Sequence, residues 1–129
     1  MVIDTSALVA IFLGETERKQ FLDQILQAET KLLSAANSLE TGIVLEARRG
    51  ETAGREFDLF VVRAKLEVVP VDAEQTEIAR LAWRKYGKGR HAAGLNFGDC
   101  FAYALAKSSG QKLLAKGGDF RFTDVELAL

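Results

Sequence analysis

An α/β domain on a mainly parallel sheet of four to five strands is the fold class that the sequence predicts, on three observations. Short apolar runs alternate with stretches of helical periodicity, the pattern of strand–helix–strand units in a parallel sheet. The 129 residues, 48% of them hydrophobic, suit a single domain spanning 1–129 with its own core. One cysteine leaves no disulfide or cysteine-rich zinc site as another source of stability.

The elements follow in order. Met1-Val2-Ile3 is the first strand, closed by Asp4. Ser6–Leu13 and Glu15–Ala28 read as helices, the second with Phe21, Leu22, Ile25 and Leu26 at helical spacing. Lys31-Leu32-Leu33-Ser34 is the second strand, and Ala36–Arg49 a helix that stops at Gly50. Thr52–Lys65 is the next helix, and Leu66-Glu67-Val68-Val69 a third strand stopped by Pro70. Asp72 is placed to N-cap a helix carrying Ile78, Ala79, Leu81, Ala82 and Trp83, which ends near Gly87. The glycine-rich segment Tyr86–Asn96 is the one substantial loop. Phe97–Ser109 is a nearly all-apolar helix and Lys112-Leu113-Leu114-Ala115 a fourth strand. After the Gly117-Gly118 turn, Val125–Leu129 is expected as a short fifth strand at the edge.

Composition removes several function classes. With 17 Lys and Arg against 18 Asp and Glu, the net charge is −1, which excludes a protein that grips nucleic acid by bulk positive charge. A polynucleotide would have to be held by local patches or bound cations. Ala7–Leu13 is too short to span a bilayer and follows an acid, so a cytoplasmic protein without membrane contact is expected. Cys100 lies in an apolar run and reads as core filler. His91, the only histidine, reads as a solvated loop residue, so Cys–His or Ser–His–Asp chemistry lacks its members.

Four acids stand out instead, each with an ordinary structural reading beside a functional one. Asp4 ends the first strand: it is a helix N-cap, or a carboxylate at an apolar junction that needs a cation. Glu40 either closes a capping box with Asn37, or lies on an inward stripe with Ile43, Val44 and Ala47. Asp99, in the first turn of the most apolar helix, suits the positive end of the helix dipole. Asp119 follows the fourth strand in a Gly-Gly-Asp turn. All four map to strand ends or helix starts at one edge of the sheet, where ligands bind in open α/β folds. Carboxylates gathered there repel one another unless a cation neutralises them, and oxygen-only ligation favours Mg²⁺ or Mn²⁺ over zinc. With no histidine base, water activated by such a metal is the economical route to phosphodiester hydrolysis.

The ordered set Val2-Ile3-Asp4-Thr5-Ser6-Ala7, Ser34-Ala35-Ala36-Asn37-Ser38-Leu39-Glu40, Leu95-Asn96-Phe97-Gly98-Asp99-Cys100 and Leu113-Leu114-Ala115-Lys116-Gly117-Gly118-Asp119-Phe120 resembles the PIN-domain ribonucleases. The stretch Gly94–Ala104 is similar to the VapC toxins of bacterial toxin–antitoxin pairs, and the resemblance spans essentially the whole chain. It implies a PIN-like three-layer α/β/α sandwich and Mg²⁺-dependent endoribonuclease activity. Asp4 and Asp99 would then be the principal metal ligands, with Glu40 a third acid that also orients the attacking water. Asp119 matches the family's most variable acidic position, and Thr5 its small hydroxyl residue beside the first aspartate.

For RNA, Arg84, Lys85, Lys88, Arg90 and His91 cluster around the glycine-rich loop, and Lys116 and Arg121 bracket Asp119. Lys116, Arg121 and Arg90 are the contact candidates, positioning phosphates without reading sequence. Phe57, Leu59, Phe60 and Val61 exceed what one sheet face requires, which reads as core packing, or as a groove for a partner helix and a homodimer face. The resemblance implies a VapB-type antitoxin in such a groove and a higher assembly of toxin with antitoxin. A receiver-like phospho-acceptor domain is the competing reading, with Asp4, Asp72 and Lys116 as its site. Against it, a receiver wants paired acids at the first strand, where this chain has Thr5-Ser6.

Overall fold

Residue alternation along four short strands decides which side of the sheet each helix covers. The computed structural model describes residues 1–129. Strands β1 (Val2–Ile3), β2 (Leu32–Ser34), β3 (Glu67–Val69) and β4 (Leu113–Leu114) form one parallel sheet in the order β3-β2-β1-β4. Val2 stands opposite Leu32 on one side and Leu113 on the other, and Ile3 opposite Leu114. Ile3, Leu33 and Leu114 therefore point to one face, and Val2, Leu32 and Leu113 to the other.

The first face is covered by α1 (Thr5–Phe12), α2 (Arg18–Gln27), α3 (Ala35–Arg49) and α4 (Glu51–Arg63), through Leu8, Ile11, Phe21, Ile25, Leu45 and Phe57. The second is covered by α5 (Ala73–Tyr86) and α6 (Phe97–Ser109), through Ala79, Ala82, Tyr86, Tyr103 and Leu105. These are the three layers of an α/β/α sandwich. The chain steps from β1 outward to β2 and β3, then crosses back to place β4 on the other side of β1. The crevice beyond the carboxyl ends of β1 and β4 is thus the switch point where such sheets bind ligands.

Several expectations need correction. Val125–Leu129 is not a fifth strand: it touches β4 at a single parallel bridge, Leu113 to Leu127. The cap of α3 is Ser34, whose hydroxyl accepts from the Ala36 amide, so Asn37 lies inside the helix rather than in a capping box. The inward stripe of α3 is Asn37, Thr41 and Leu45, not the stripe through Ile43, which is 58% exposed, and Ala47, also exposed. Phe57 is core, stacked edge-on against Phe12, so only Leu59 of the four excess apolar residues is largely exposed. Cys100 is buried as expected, and burial pushes its thiol up to about 11, where it is no nucleophile at neutral pH. Asp72 caps α5 by accepting the Gln75 amide at 2.8 Å. No helix is long and apolar enough to cross a membrane.

Candidate active site

The end of β1 delivers Asp4 into the crevice, with its own amide bonded to the Leu114 carbonyl of β4 at 2.9 Å. Asp4 is also the N-cap of α1: its Oδ2 accepts the Ser6 amide at 2.9 Å. Its ordinary and functional readings are therefore compatible, because capping uses one carboxylate oxygen. The other, Oδ1, is buried with no hydrogen-bond partner in the protein. Burial above all pushes the Asp4 carboxyl up to about 7; the Ser6 hydrogen bonds oppose this, and the charges of Asp99 and Glu40 add to it.

Asp99 is fixed by a reciprocal capping box at the start of α6. Its amide donates to Asn96 Oδ1 at 2.9 Å, and its Oδ2 accepts the Asn96 amide at 3.0 Å. Burial raises its carboxyl above the usual range; the Asn96 amide opposes the rise, and Asp119 and Glu40 reinforce it. Glu40 is held from α3. The buried amide of Asn37 donates to Glu40 Oε1 at 3.2 Å and to the Gly98 carbonyl at 3.0 Å, tying α3 to the first turn of α6. Gly98 is needed for this approach, since a Cβ there would lie 2.2 Å from Glu40 Oε2. Thr5 braces the cleft wall: its hydroxyl donates to the Asn37 carbonyl at 3.3 Å and accepts from the Thr41 hydroxyl at 3.2 Å.

Asp4, Thr5, Glu40 and Asp99 line one cleft of about 260 Å³, together with Ser6, Asn96, Lys116 and an acid that sequence reasoning missed, Glu15. Asp119 stands at the start of a 3₁₀ turn (Asp119–Phe122), exposed and outside the cleft lining, and reaches the site through its charge on Asp99. Glu15 sits in the turn between α1 and α2, whose amide bonds back to the Ala10 carbonyl at 2.9 Å. Its carboxylate pairs with the Lys116 ammonium, which also lies 3.6 Å from Glu17. Lys116 is thus at the cleft but already engaged, and the Glu15 hydrogen bond leads in raising its pKa. Its amide donates to Ser6 Oγ at 2.9 Å, which pins the end of β4 to α1. Arg121 lies outside the cleft lining, folded back on the Gly118 carbonyl, and Arg90 stacks 4.6 Å above the Trp83 ring.

The donor set suits a hard cation. All charged donors are carboxylates, and one buried carboxylate oxygen of the cleft, Asp4 Oδ1, has no partner. No three of the acidic, histidine or cysteine side chains form a group that would hold one ion by themselves. An ion here would take one or two carboxylates and complete its shell with water, a mode open to Mg²⁺.

Residues 1–126 match the PIN domain family. Over 125 residues the chain is 57% identical to a protein of Mycolicibacterium smegmatis called Ribonuclease VapC, covering 97% of each. It is 54% identical over 125 residues to Ribonuclease VapC30 of Mycobacterium tuberculosis, covering 97% of this chain and 95% of that one. Among solved structures, VapC20 of Mycobacterium tuberculosis, described as a sarcin–ricin loop cleaving toxin, superposes with a TM-score of 0.75. The two are 22% identical, with 96% of this chain and 97% of that chain covered.

Proposed function

The chain belongs to the VapC ribonucleases of the PIN-domain family, and from that premise we propose that it is the toxin of a toxin–antitoxin pair and cuts RNA internally with water activated by Mg²⁺. The observation that carries the reading is the carboxylate of Asp4, buried, half unpartnered and faced by the charges of Asp99 and Glu40. Burial disfavours the ionised forms of Asp4 and Asp99 unless something positive enters. When bound, a divalent cation supplies Lewis acidity, which activates water and offsets the charge that grows on a phosphodiester; Mn²⁺ would serve in the same place.

The residues divide the remaining work. Asp4 and Asp99 are the principal ligands, each with one oxygen restrained by a backbone amide. Glu40, positioned by Asn37, orients the attacking water and takes up its proton. Asp119 adds negative charge beside Asp99 without lining the cleft. Thr5 holds α1 against α3, so that the first two acids keep their spacing. Lys116, Arg121 and Arg90 hold phosphates of the strand, Lys116 by exchanging Glu15 for a phosphate oxygen. A VapB-type antitoxin is the proposed partner. The exposed Leu59 and Val62 of α4 and Leu39 and Ile43 of α3 are apolar surface available to it and to a second copy of the toxin.

Incubating the purified chain with labelled RNA, with Mg²⁺ or with chelator, tests the proposal. Internal cleavage is expected only with the metal, and is lost in Asp4→Asn and Asp99→Asn. Equal cleavage by those variants would refute the site. The receiver alternative has no support in the geometry, because Asp72 lies outside the cleft that Asp4 and Lys116 line. Labelling of Asp72 by acetyl phosphate would revive it.

A further inference from the structure

A second cavity adjoins the acidic cleft and has a different chemistry. It measures about 540 Å³, opens between α5 and α6, and is walled by Trp83, Phe97, Phe101 and Leu95, with Arg80 and Lys88 among its lining residues. Asn96 lines both cavities, so the two meet at the capping box that fixes Asp99. Phe97 and Asp99 are the first and third residues of α6, so the ring and the acid are carried on one rigid turn.

Two features mark this cavity as more than ordinary packing. Phe97 is 81% exposed although it makes an edge-to-face pair with Phe101, ring centroids 4.8 Å apart. Trp83 is 44% exposed and is held in place by the chain beside it: a Cβ at Gly87 would come within 2.4 Å of the Trp83 carbonyl and 2.7 Å of the indole Cδ1. The surroundings are basic. Arg80, Arg84, Lys88 and Arg90 are all exposed, and none makes a salt bridge, whereas Lys116 at the acidic cleft does. Aromatic walls flanked by free cations are what a single-stranded polynucleotide uses, bases on the rings and phosphates on the charges. Arg80 and Lys88, which line the cavity itself, give it the charge that suits a phosphate backbone.

We infer that this cavity is a nucleobase subsite, taking an unpaired base of the RNA strand next to the phosphodiester that faces the acidic cleft. The inference rests on the nuclease reading above and supplies what that reading lacks, a place where the strand itself is recognised. Because every base has a π-face, the subsite selects single-stranded over duplex RNA more than it selects a sequence. Arg90, with its guanidinium 4.6 Å from the Trp83 ring, lies outside the cavity lining.

Trp83 is the only tryptophan, so its emission reports on this cavity alone. The probe is hexaadenylate, titrated into the full chain carrying Asp4→Asn in Mg²⁺, with an abasic hexamer of the same charge as control. Saturable quenching by hexaadenylate, and affinity weakened about tenfold by Phe97→Ala or in the abasic hexamer, is the expected result. Phe97→Leu, which keeps apolar bulk and removes the ring, is expected to show the same loss and guards against a folding defect. Equal affinity for the abasic hexamer, or unchanged emission, overturns the subsite. So does a mass doubling without RNA that Phe97→Ala abolishes, because the cavity would then be the seat of a second copy. RNA cleavage by the unaltered chain with Trp83 silent would refute the subsite alone; quenching with no cleavage would refute the nuclease reading alone.

Discussion

Replacing Asp4 by Asn is expected to stabilise the metal-free protein at neutral and alkaline pH while abolishing cleavage. In the folded chain the carboxyl is 2% exposed, and burial pushes its pKa up to about 7 from 3.8. Between those values the folded state keeps a proton that the unfolded chain releases. Stability therefore falls as pH rises through the interval, by about 1.4 kcal/mol per unit, and levels off above pH 7. The whole interval corresponds to about 4 kcal/mol. An asparagine carries no charge to desolvate and still caps α1 through its carbonyl oxygen. Its buried amide hydrogens find no acceptor, which costs about 1–3 kcal/mol. The net gain near pH 8 is about 1–3 kcal/mol, a rise in Tm of roughly 3–12 °C for a domain of this size. Mg²⁺ closes the gap, because the unaltered chain alone gains from binding, by about 2.7 kcal/mol at a hundred times Kd. Thermal melts of both proteins in chelator, from about pH 5 to 8, provide the assay. A variant that melts below the unaltered chain at the alkaline end, or by the same margin at every pH, would refute the reasoning.

Other substitutions separate positioning from folding. Gly98→Ala puts a methyl group against the end of the Glu40 side chain, which can swing away, so cleavage is expected to fall about tenfold or more while the denaturation midpoint barely moves. Asn37→Ala removes the amide that bridges Glu40 and the Gly98 carbonyl, and should cost about 1–3 kcal/mol in urea denaturation as well as activity. Lys116→Met leaves Glu15 and Glu17 without their cation at the cleft; the salt dependence of RNA binding is expected to lose a slope of about one. A slope equal to that of the unaltered chain would remove Lys116 from the RNA surface.

What could be read from the sequence was whatever local order determines. Asp4 and Asp99 were visible because each closes or opens an element, and the position of such residues at the sheet edge follows from chain order. The strands themselves were legible in the apolar runs around Val2, Leu32 and Leu113, whereas the three-layer arrangement came from the family resemblance. Glu15 was not visible: it lies in a turn, and its partner Lys116 is 101 residues away. Helix α3 buries a different stripe from the one its apolar residues suggest. Asn37 and Thr41 take those positions instead: the Thr41 hydroxyl donates to the Asn37 carbonyl, the Asn37 amide donates to Glu40 and the Gly98 carbonyl, and Ile43 is left outside. The last residues touch β4 only at Leu127, a distinction between bridge and strand that apolar content does not encode.

The central claim is that water, activated within an acidic cluster, attacks the phosphorus. Cleaving RNA once in ¹⁸O-enriched water and weighing the product ends by mass spectrometry tests this directly. The account predicts one heavy oxygen in each newly formed terminal phosphate and no cyclic product. A 2′,3′-cyclic phosphate without ¹⁸O would mean that the ribose hydroxyl is the nucleophile, and would contradict it.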